Sequence, residues 1–371
     1  MSSGISKAAR RVLRELRDSK AVLLTGPPAT GKTAVMLEVR NLFVGGASDP
    51  VSIPEAEVPI PAGTEVPTEL LPSPQRTDRR VFEITMDQHA KFKDFWRAEE
   101  IAPGAGQEVR ISKGILYRAN EHALTPDGAS LVEIDELNRG PAVGVLGRSV
   151  AAFEADKRLD PDTSKPTART ATFQLPDDRG ELVDYALSAH LYILAAQNNA
   201  DTSVEPIDVA WLRRFSPIEF RPDRSVLIDY FGIEDLDGEL PEKPDTAAAV
   251  YIAAVRAWEK VNYRLEIGRG RDFQIGHGVF MGSDAAPPDS PEEALKFILK
   301  GWRRIEKHIS EVFFNNVEGQ VAVLYVGEAA DHPYSQVQES FGSLQVPMIR
   351  RPDQLEPETL YRMLRAIARA S

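Results

Sequence analysis

Near its beginning the chain contains the run Gly26-Pro27-Pro28-Ala29-Thr30-Gly31-Lys32-Thr33. A short apolar segment precedes the run and a segment with apolar residues at helical spacing follows it, which predicts a strand, a glycine-bounded loop and a helix. The glycines allow the backbone to wrap around a polyphosphate, so that several N–H groups face the anion. Lys32 would supply a positive charge for the phosphates, and Thr33 a hydroxyl for Mg²⁺. We therefore assign the whole run to binding of a nucleoside triphosphate; a glycine-rich turn that binds nothing is the alternative.

A second run, Ser130-Leu131-Val132-Glu133-Ile134-Asp135-Glu136, is an apolar strand that ends in two adjacent acids. Asp135 can hold Mg²⁺, and Glu136 can orient and deprotonate an attacking water. Two solvated charges at the end of a strand are the alternative. Glu133 departs from an all-apolar strand, which leaves room for an edge or interface position of that residue.

Polar residues also end two later segments. The apolar run over residues 190–196 is followed by amides, and the amide of Asn198 could position the water beside the γ-phosphate. Residues 208–215 place Arg213 and Arg214 at the end of a predicted helix. Two solvated cations are the alternative for this pair.

Composition narrows the classes of function. The chain has 371 residues, 42% of them hydrophobic and 27% charged, which is typical of a globular protein with room for two domains. It has no cysteine, which excludes disulfides and thiolate metal sites, and its six scattered histidines argue against an imidazole metal centre. The sequence contains no apolar run of about 18 residues, so it predicts no membrane-spanning helix. Residues 1–20 lack the apolar core of a signal peptide. We expect a cytoplasmic protein without membrane contact.

The formal net charge of the chain is −12. This is the wrong sign for a protein whose whole surface binds nucleic acid through its phosphates. If DNA is a substrate, the pattern favours an indirect contact, through a partner or a separate domain.

The pattern predicts two domains. Residues 1–221 are expected to form an α/β nucleotide-binding domain with a parallel sheet, interrupted at about residues 45–76 by a mobile, proline-rich insertion. Residues 222–371 are expected to form a smaller α-helical lid and C-terminal helices. The segments for which the sequence predicts helices include 6–18, 94–98, 143–153, 246–263, 290–302 with a continuation over 303–325, and 358–370.

Four motifs follow one another along the chain: Asp135-Glu136-Leu137-Asn138-Arg139-Gly140, Gln197-Asn198-Asn199-Ala200-Asp201, Asp208-Val209-Ala210-Trp211-Leu212-Arg213-Arg214-Phe215, and Gly270-Arg271-Asp272-Phe273-Gln274-Ile275-Gly276-His277. Together with the phosphate loop they resemble the AAA+ family, and within it the McrB-like motors of modification-dependent restriction systems, which are related to MoxR-type ATPases. The resemblance covers about residues 20 to 330.

This resemblance implies a ring, a hexamer, that hydrolyses ATP or GTP with Mg²⁺. Asn198 would be the sensor-1 amide, and Arg213 or Arg214 the arginine finger that completes the site of a neighbouring subunit. An arginine finger accelerates hydrolysis about 10³–10⁵-fold in GTPases, so a monomer should be nearly inactive. For Arg271 and His277 two roles stay open: sensing nucleotide from the lid, or fixing the packing of the lid.

The sequence departs from the family pattern at two places. Asn199 replaces the threonine of the N-T-A-D run, and Leu212 replaces an arginine of the R-R-R run. McrB-like motors favour GTP, so the first change leaves the choice between ATP and GTP open. Only about 20 residues precede the phosphate loop, and no nuclease motif stands on a plausible pair of strands. We therefore expect a motor without its own modified-base reader or nuclease.

Two hypotheses of different class follow. The D-E-L-N-R-G and I-G-H runs favour a restriction-type motor that drives a McrC-like, nuclease-bearing subunit in DNA processing against invaders. The acidic charge and the missing DNA-binding domain favour a MoxR-like chaperone ATPase that remodels a protein partner. A nucleotide-binding scaffold without turnover is disfavoured, because every catalytic position is filled.

Overall fold

The structure is a computed structural model, and it describes residues 5–45, 66–101, 109–200, 209–282, 286–329, 332–352 and 355–370. The chain divides into two compact units. The first runs to Thr25 and then from Lys32 to Glu219, and the second holds Gly26–Gly31 and the chain from Phe220 onward. No helix within these described ranges combines the length and the apolar character needed to cross a bilayer.

The first unit has a parallel sheet with helices. Its described helices are α1 (Lys7–Ser19), α2 (Lys32–Gly45), α3 (Phe92–Phe95), α4 (Ile115–Ala123), α5 (Ala142–Leu146) and α6 (Val209–Leu212). Its described strands are β1 (Ala21–Thr25), β2 (Asp78–Thr85), β3 (Arg97–Ile101), β4 (Val109–Lys113), β5 (Gly128–Asp135), β6 (Phe173–Pro176), β7 (Leu182–Tyr185), β8 (Leu191–Ala196) and β9 (Ser216–Glu219).

The main sheet has the order β2-β5-β8-β1-β9, and all its neighbouring strands are parallel. Every residue of β8 is buried, and so is every residue of β5 before Asp135. Central strands of a parallel sheet read as continuous apolar runs because both faces are covered. Two antiparallel hairpins, β3-β4 and β6-β7, stand apart from this sheet.

The second unit is mostly helical. Its described helices are α7 (Arg224–Phe231), α8 (Ala247–Arg269), α9 (Pro291–Val312), α10 (Val317–Val323) and α11 (Pro357–Arg369). Trp258 of α8 and Trp302 of α9 are buried at the centre of its apolar core. The unit also contains an antiparallel hairpin of β10 (Ser335–Phe341) and β11 (Leu344–Arg350), which the helical prediction for this region did not include.

Three predicted helices are shorter than expected. The helix predicted over 303–325 ends at Val312, because Asn315 adopts a left-handed conformation (φ 57°) and Asn316 caps the separate helix α10. The helix predicted over 94–98 is only the end of α3, since Arg97 already begins β3. The helix predicted over 143–153 ends with α5 at Leu146 and continues only as a 3-10 turn over Val150–Phe153.

The proline-rich insertion lies mostly outside the described residues. Its last part, residues 66–76, is packed rather than mobile, because Leu70 and Leu71 are buried. The fully buried guanidinium of Arg79 donates to the carbonyl oxygens of Pro72 (2.7 Å) and Ser73 (3.0 Å). For residues 66–76 the prediction of a mobile segment is therefore wrong. The residue that holds this part in place, Arg79, lies outside it, in the strand β2 that follows.

Candidate functional site

The predicted catalytic residues of the first unit lie at the carboxyl edge of its sheet. β5 ends at Asp135, β8 ends two residues before Asn198, and α2 begins at Lys32. Since β8 lies between β1 and β5, the residues that follow it stand between the start of α2 and the two acids. Such an edge is where ligands bind in open parallel sheets.

Lys32 is buried beside the acids, with 7% of its surface exposed. Burial lowers the pKa of the Lys32 ammonium to about 8, although the carboxylates of Glu136 and Asp135 act in the opposite direction. Thr33, the next residue, is exposed at the start of α2. A polyphosphate at this point would supply the negative charge that favours a protonated Lys32.

Glu136 occupies an unusual backbone position. Its φ is 55° and its ψ 40°, a left-handed conformation that non-glycine residues seldom adopt and that clusters at functional sites. Its N–H donates to Asp135 Oδ1 (2.9 Å), which fixes the two acids relative to each other. Its carboxylate lies 2.6 Å from Arg139 Nε and accepts a long contact of 3.5 Å from Asn198 Nδ2. The structure thus brings Glu136 and Asn198 together as predicted.

The turn after β5 is tied to the end of β8 by a residue that sequence reasoning did not assign to the site. Asn138 is buried, and its Nδ2 donates to the carbonyl oxygen of Asn198 (2.8 Å). This bond holds the backbone of Asn198 while its side chain faces Glu136. An asparagine three residues after Asp135 was visible in the motif, but its partner becomes apparent only through the strand order.

The two candidate arginine fingers differ in their surroundings. Arg214 forms an ion pair with Glu154, and each side chain is 27% exposed. Arg213 is exposed on the surface of the first unit. Within the described residues, neither guanidinium forms an ion pair with Glu136 of the same chain. The residues that precede them, 201–208, lie outside the described ranges.

Glu133 is not at an edge, contrary to the expectation. It lies in β5, which pairs with both β2 and β8, and only 2% of it is exposed. Arg40 of α2 donates to Glu133 Oε2 through Nε (2.9 Å) and also pairs with Glu83 of β2. Burial raises the pKa of Glu133 to about 7, and Arg40 acts against this rise. A cation from α2 therefore explains how a carboxyl group is tolerated in a central strand.

The loop Gly26–Gly31, in the second unit, has the backbone that a phosphate loop requires. Gly26 and Gly31 have φ of 133° and 89°, values open to glycine but strained for other residues. A Cβ on Gly26 would lie 2.1 Å from the carbonyl oxygen of Phe220. Thr30 is buried and donates to the carbonyl oxygen of Pro27 (2.9 Å), which closes the loop on itself.

The residues present fit a magnesium ion bound with a nucleotide. In the described part of the chain no group of three or more histidine or acidic side chains forms a ready metal site. Mg²⁺ is commonly held by one or two protein oxygens together with substrate phosphates and waters. The hydroxyl of Thr33 and the carboxylate of Asp135 are oxygen donors of this kind. The carboxylate of Asp135 acts to raise the pKa of Lys32, so it lies near the start of α2.

Comparison with known proteins gives one curated relative. The chain is 26% identical over 212 residues to the McrB subunit of the type IV methyl-directed restriction enzyme of Escherichia coli K12. The match covers 57% of this chain and 37% of that protein, so the chain spans well under half of its relative's length. The resemblance to the McrB-like AAA+ ATPases is confirmed. No protein-family model matches the chain.

Solved structures resemble the chain more distantly. A protein of Cytophaga hutchinsonii that is provisionally named an ATPase has a TM-score of 0.32 and 16% identity, over 59% of this chain and 47% of its own. PCH-2 of Caenorhabditis elegans has a TM-score of 0.31 and 12% identity, over 80% and 67% of the two chains. NtrX of Brucella abortus has a TM-score of 0.33 and 11% identity, over 86% and 64%. TM-scores and sequence identities this low carry no argument about function.

The predicted fold class, an α/β part with a parallel sheet followed by a helical part, is confirmed. The first strand of the parallel sheet leads into the loop Gly26–Gly31, and two strands away Asp135 ends β5 and Glu136 follows it. A mostly helical region follows the α/β part, as predicted.

Proposed function

We propose that this chain is a Mg²⁺-dependent nucleoside triphosphatase, a McrB-like AAA+ motor that works as a ring. The observation that carries the proposal is the group of Lys32, Glu136 and Asn198 at one edge of the sheet. Lys32 is buried beside the carboxylate of Glu136, and that carboxylate faces the amide of Asn198 at 3.5 Å. We take residues 1–221 as the nucleotide-binding domain and 222–371 as the lid.

Each residue has one role in the proposed hydrolysis. The loop Gly26–Gly31 and Lys32 bind the phosphates, and Thr33 with Asp135 would hold Mg²⁺, which neutralises phosphate charge when bound. Glu136 takes a proton from the attacking water while the water oxygen bonds to the γ-phosphorus and the bond to the leaving diphosphate breaks. Asn198 donates a hydrogen bond that orients this water. The nucleotide is ATP or GTP.

The arginine finger is assigned to Arg213. Arg214 is engaged with Glu154 of its own chain, and breaking a partly buried ion pair would have to precede any other contact. Arg213 is exposed, so it can reach the nucleotide of a neighbouring subunit without such a loss. A hexameric ring, in which every site borders a neighbour, accommodates this arrangement.

The partner proposed for the motor is a McrC-like, nuclease-bearing subunit, with DNA contacted indirectly in restriction or anti-phage processing. The sequence relation to McrB and the D-E-L-N-R-G run support this partner. The net charge of −12 favours the alternative, a MoxR-like chaperone ATPase that acts on a protein.

The replacement Glu136→Gln tests the proposed chemistry. An amide cannot accept the proton of the attacking water, so we expect turnover of ATP and GTP to fall by about 10²-fold or more while nucleotide affinity is kept. Phosphate release and binding of a fluorescent nucleotide are the two measurements. Glu181→Gln, at an exposed position before β7, is the matched control and should hydrolyse normally. Normal turnover in Glu136→Gln would refute the assignment of the base.

The same trapped form tests the partner. Glu136→Gln loaded with nucleotide is purified from its native cell, and the proteins bound to it are identified by mass spectrometry. A nuclease-bearing subunit whose binding is reproduced with purified components supports the restriction-type motor. Recovery of protein clients without a nuclease supports the chaperone.

A further inference from the structure

Helix α1 of the first unit carries a stripe of positive charge. Four exposed cations, called the α1 stripe below, form it: Lys7, Arg10, Arg11 and Arg14. Side chains three and four positions apart on a helix are neighbours, so these four lie on one face. From Lys7 to Arg14 the helix rises about 10 Å. The chain as a whole has a formal net charge of −12, so the stripe is a local exception to its acidic character.

The carboxylates of α1 itself are engaged with groups outside the stripe. Glu15 Oε1 accepts a hydrogen bond from Ser216 Oγ (2.6 Å), and Asp18 forms an ion pair with Arg17 (3.1 Å). Among the residues that the structure describes, no member of the α1 stripe forms an ion pair. The positive charge of the stripe is therefore left for a partner outside the chain.

The start of α1 is fixed by its cap. Ser6 Oγ accepts from the N–H of Ala9 (3.0 Å) and donates to Glu38 Oε2 (2.6 Å), and the N–H of Ser6 donates to Glu38 Oε1 (2.8 Å). Arg10 Nε donates to the carbonyl oxygen of Ile5 (3.1 Å), which engages one of its three nitrogens. The backbone of the stripe is thus ordered in advance, and binding has to order only side chains.

The apolar face of α1 is not available to a partner. Its four apolar side chains are completely buried: Ala9, Val12, Leu13 and Leu16. A basic amphipathic helix that binds a membrane surface or a groove of another protein does so through its apolar face. Because that face of α1 is packed within the first unit, only the charged face can make contacts.

The composition of α1 favours the phosphates of a nucleic-acid duplex. Three of the four cations are arginines, whose planar guanidinium matches a phosphate with two parallel hydrogen bonds. Protein interfaces are anchored by aromatic side chains, and single-stranded nucleic acids stack on them, but α1 contains no aromatic residue. One strand of a duplex carries a phosphate per about 3.4 Å of axis, so the stripe spans about three phosphates.

We propose that the α1 stripe binds the phosphate backbone of a nucleic-acid duplex without reading its sequence. This goes beyond the proposed function, in which DNA is contacted through a partner, and it does not depend on hydrolysis. The capped helix sets the spacing of the four cations. The binding energy comes from charge neutralisation, so it must fall steeply with salt.

Arg11 and Arg14 are the members to replace, since the structure describes no hydrogen bond or ion pair of either side chain. Arg11→Gln with Arg14→Gln removes two charges and nearly keeps the helix propensity. Arg11→Lys with Arg14→Lys keeps the charges. Arg303→Gln with Arg304→Gln, at exposed positions of α9, is the matched control for the change in net charge.

The measurement is fluorescence anisotropy of a labelled duplex of mixed sequence, as DNA and as RNA, at salt concentrations from about 50 to 200 mM. For the unchanged protein we expect log K to fall with log salt with a slope of about −3. The glutamine pair should bind about tenfold or more weaker at low salt, with the slope reduced by about 2. The lysine pair and the α9 control should bind almost normally. A preference between DNA and RNA identifies the source of the shared phosphate backbone.

Unchanged affinity and slope in the glutamine pair, or a salt-independent or absent duplex complex of the unchanged protein, would overturn the proposal. Tighter binding of a single strand, or displacement of the duplex by polyglutamate at equal charge, would also overturn it, the latter in favour of an acidic protein partner. Melting temperatures check folding, and the salt slope of the unchanged protein needs no variant. Nucleotide turnover without nucleic acid should be equal in all three double variants, and Lys32→Ala should bind the duplex normally. A failure of the proposed function is therefore distinct from a failure of the α1 stripe.

Discussion

The carboxylate of Glu136 contacts two neighbouring side chains, Arg139 and Asn198. Arg139 lies 2.6 Å from one oxygen and Asn198 at 3.5 Å from the other. An oxygen that is engaged by a guanidinium is not open to a water molecule. For Glu136 to act as a base, its contact with Arg139 must therefore lengthen while that with Asn198 remains. The left-handed backbone of Glu136 restricts how the side chain can reorient.

A second polar group, remote from this site, makes the stability of the first unit depend on pH. His122 Nδ1 lies 2.8 Å from Ser130 Oγ, and its Nε2 lies 3.0 Å from Asp78 Oδ2. Burial lowers the pKa of His122, against the effect of Asp78. Burial alone would raise the pKa of Asp78, but hydrogen bonds from His122 and Arg80 outweigh it and lower that pKa.

Both shifts predict that stability is lost in acid. Below about pH 6.5 the unfolded chain protonates this histidine before the folded protein does, so the free energy of unfolding falls as pH decreases. The slope from one group is at most about 1.4 kcal/mol per pH unit. Urea unfolding between pH 5 and 7.5 measures it, and His122→Gln, which cannot titrate, should flatten the slope. His89→Gln, at an exposed position, is the control and should leave the slope unchanged. An identical slope in both variants would contradict the assignment to His122.

Among the elements, α2 and β5 carry the two halves of the proposed metal and phosphate site, and Arg40 joins these two elements. α2 begins at Lys32, and Arg40 lies two turns later, where it binds Glu133 of β5. Glu133 is two residues before Asp135. Among the described residues, the other carboxylate oxygen of Glu133 is buried without a hydrogen-bond partner, and Arg40 is the cation that offsets the burial of this group. The ion pair therefore fixes α2 against the strand that carries the acids.

Removing Arg40 should destabilise the first unit strongly. Arg40→Met leaves Glu133 buried without a cation, and breaking a buried pair in this way costs about 3–5 kcal/mol of unfolding free energy. The double replacement Arg40→Met with Glu133→Leu removes both charges and should recover most of the loss. Glu83→Gln removes the half-exposed partner of Arg40 and should cost at most about 1 kcal/mol. Urea unfolding distinguishes these cases; a double variant no more stable than Arg40→Met would count against the ion-pair explanation.

The same elements show what could be predicted from the sequence. The phosphate loop, the apolar strands β5 and β8 and the acids after β5 follow local patterns, and the structure has them where the patterns indicated. The partners of Glu133, Asn138 and Arg214 are far away in the chain, at Arg40, Asn198 and Glu154. Such contacts depend on strand order and packing, which the hydrophobic periodicity of the sequence does not predict. The hairpin of β10 and β11 was missed because the whole of residues 222–371 was predicted to form a helical lid and C-terminal helices.

For the whole molecule, the separation of Arg213 from Glu136 decides how many chains one active site requires. Within the described residues Arg213 makes no contact with the catalytic acid of its own chain, and it is exposed. A site completed across a subunit boundary needs Glu136 from one chain and Arg213 from the next. Loss of either residue should then abolish turnover in a uniform assembly.

Mixing two inactive variants tests this arrangement directly. Arg213→Ala keeps Glu136, and Glu136→Gln keeps Arg213, so a mixed assembly contains boundaries at which both groups are intact. We expect Arg213→Ala alone to lose about 10³-fold or more of its turnover and Glu136→Gln alone about 10²-fold or more. An equimolar mixture should recover a clear fraction of normal activity. Arg214→Ala mixed with Glu136→Gln is the matched control, because Arg214 is paired with Glu154 in its own chain and its loss should leave turnover largely intact before mixing. Steady-state phosphate release at concentrations that maintain the assembly is the measurement. An inactive mixture of Arg213→Ala and Glu136→Gln, with assembly verified by light scattering, would mean that the finger does not act between subunits.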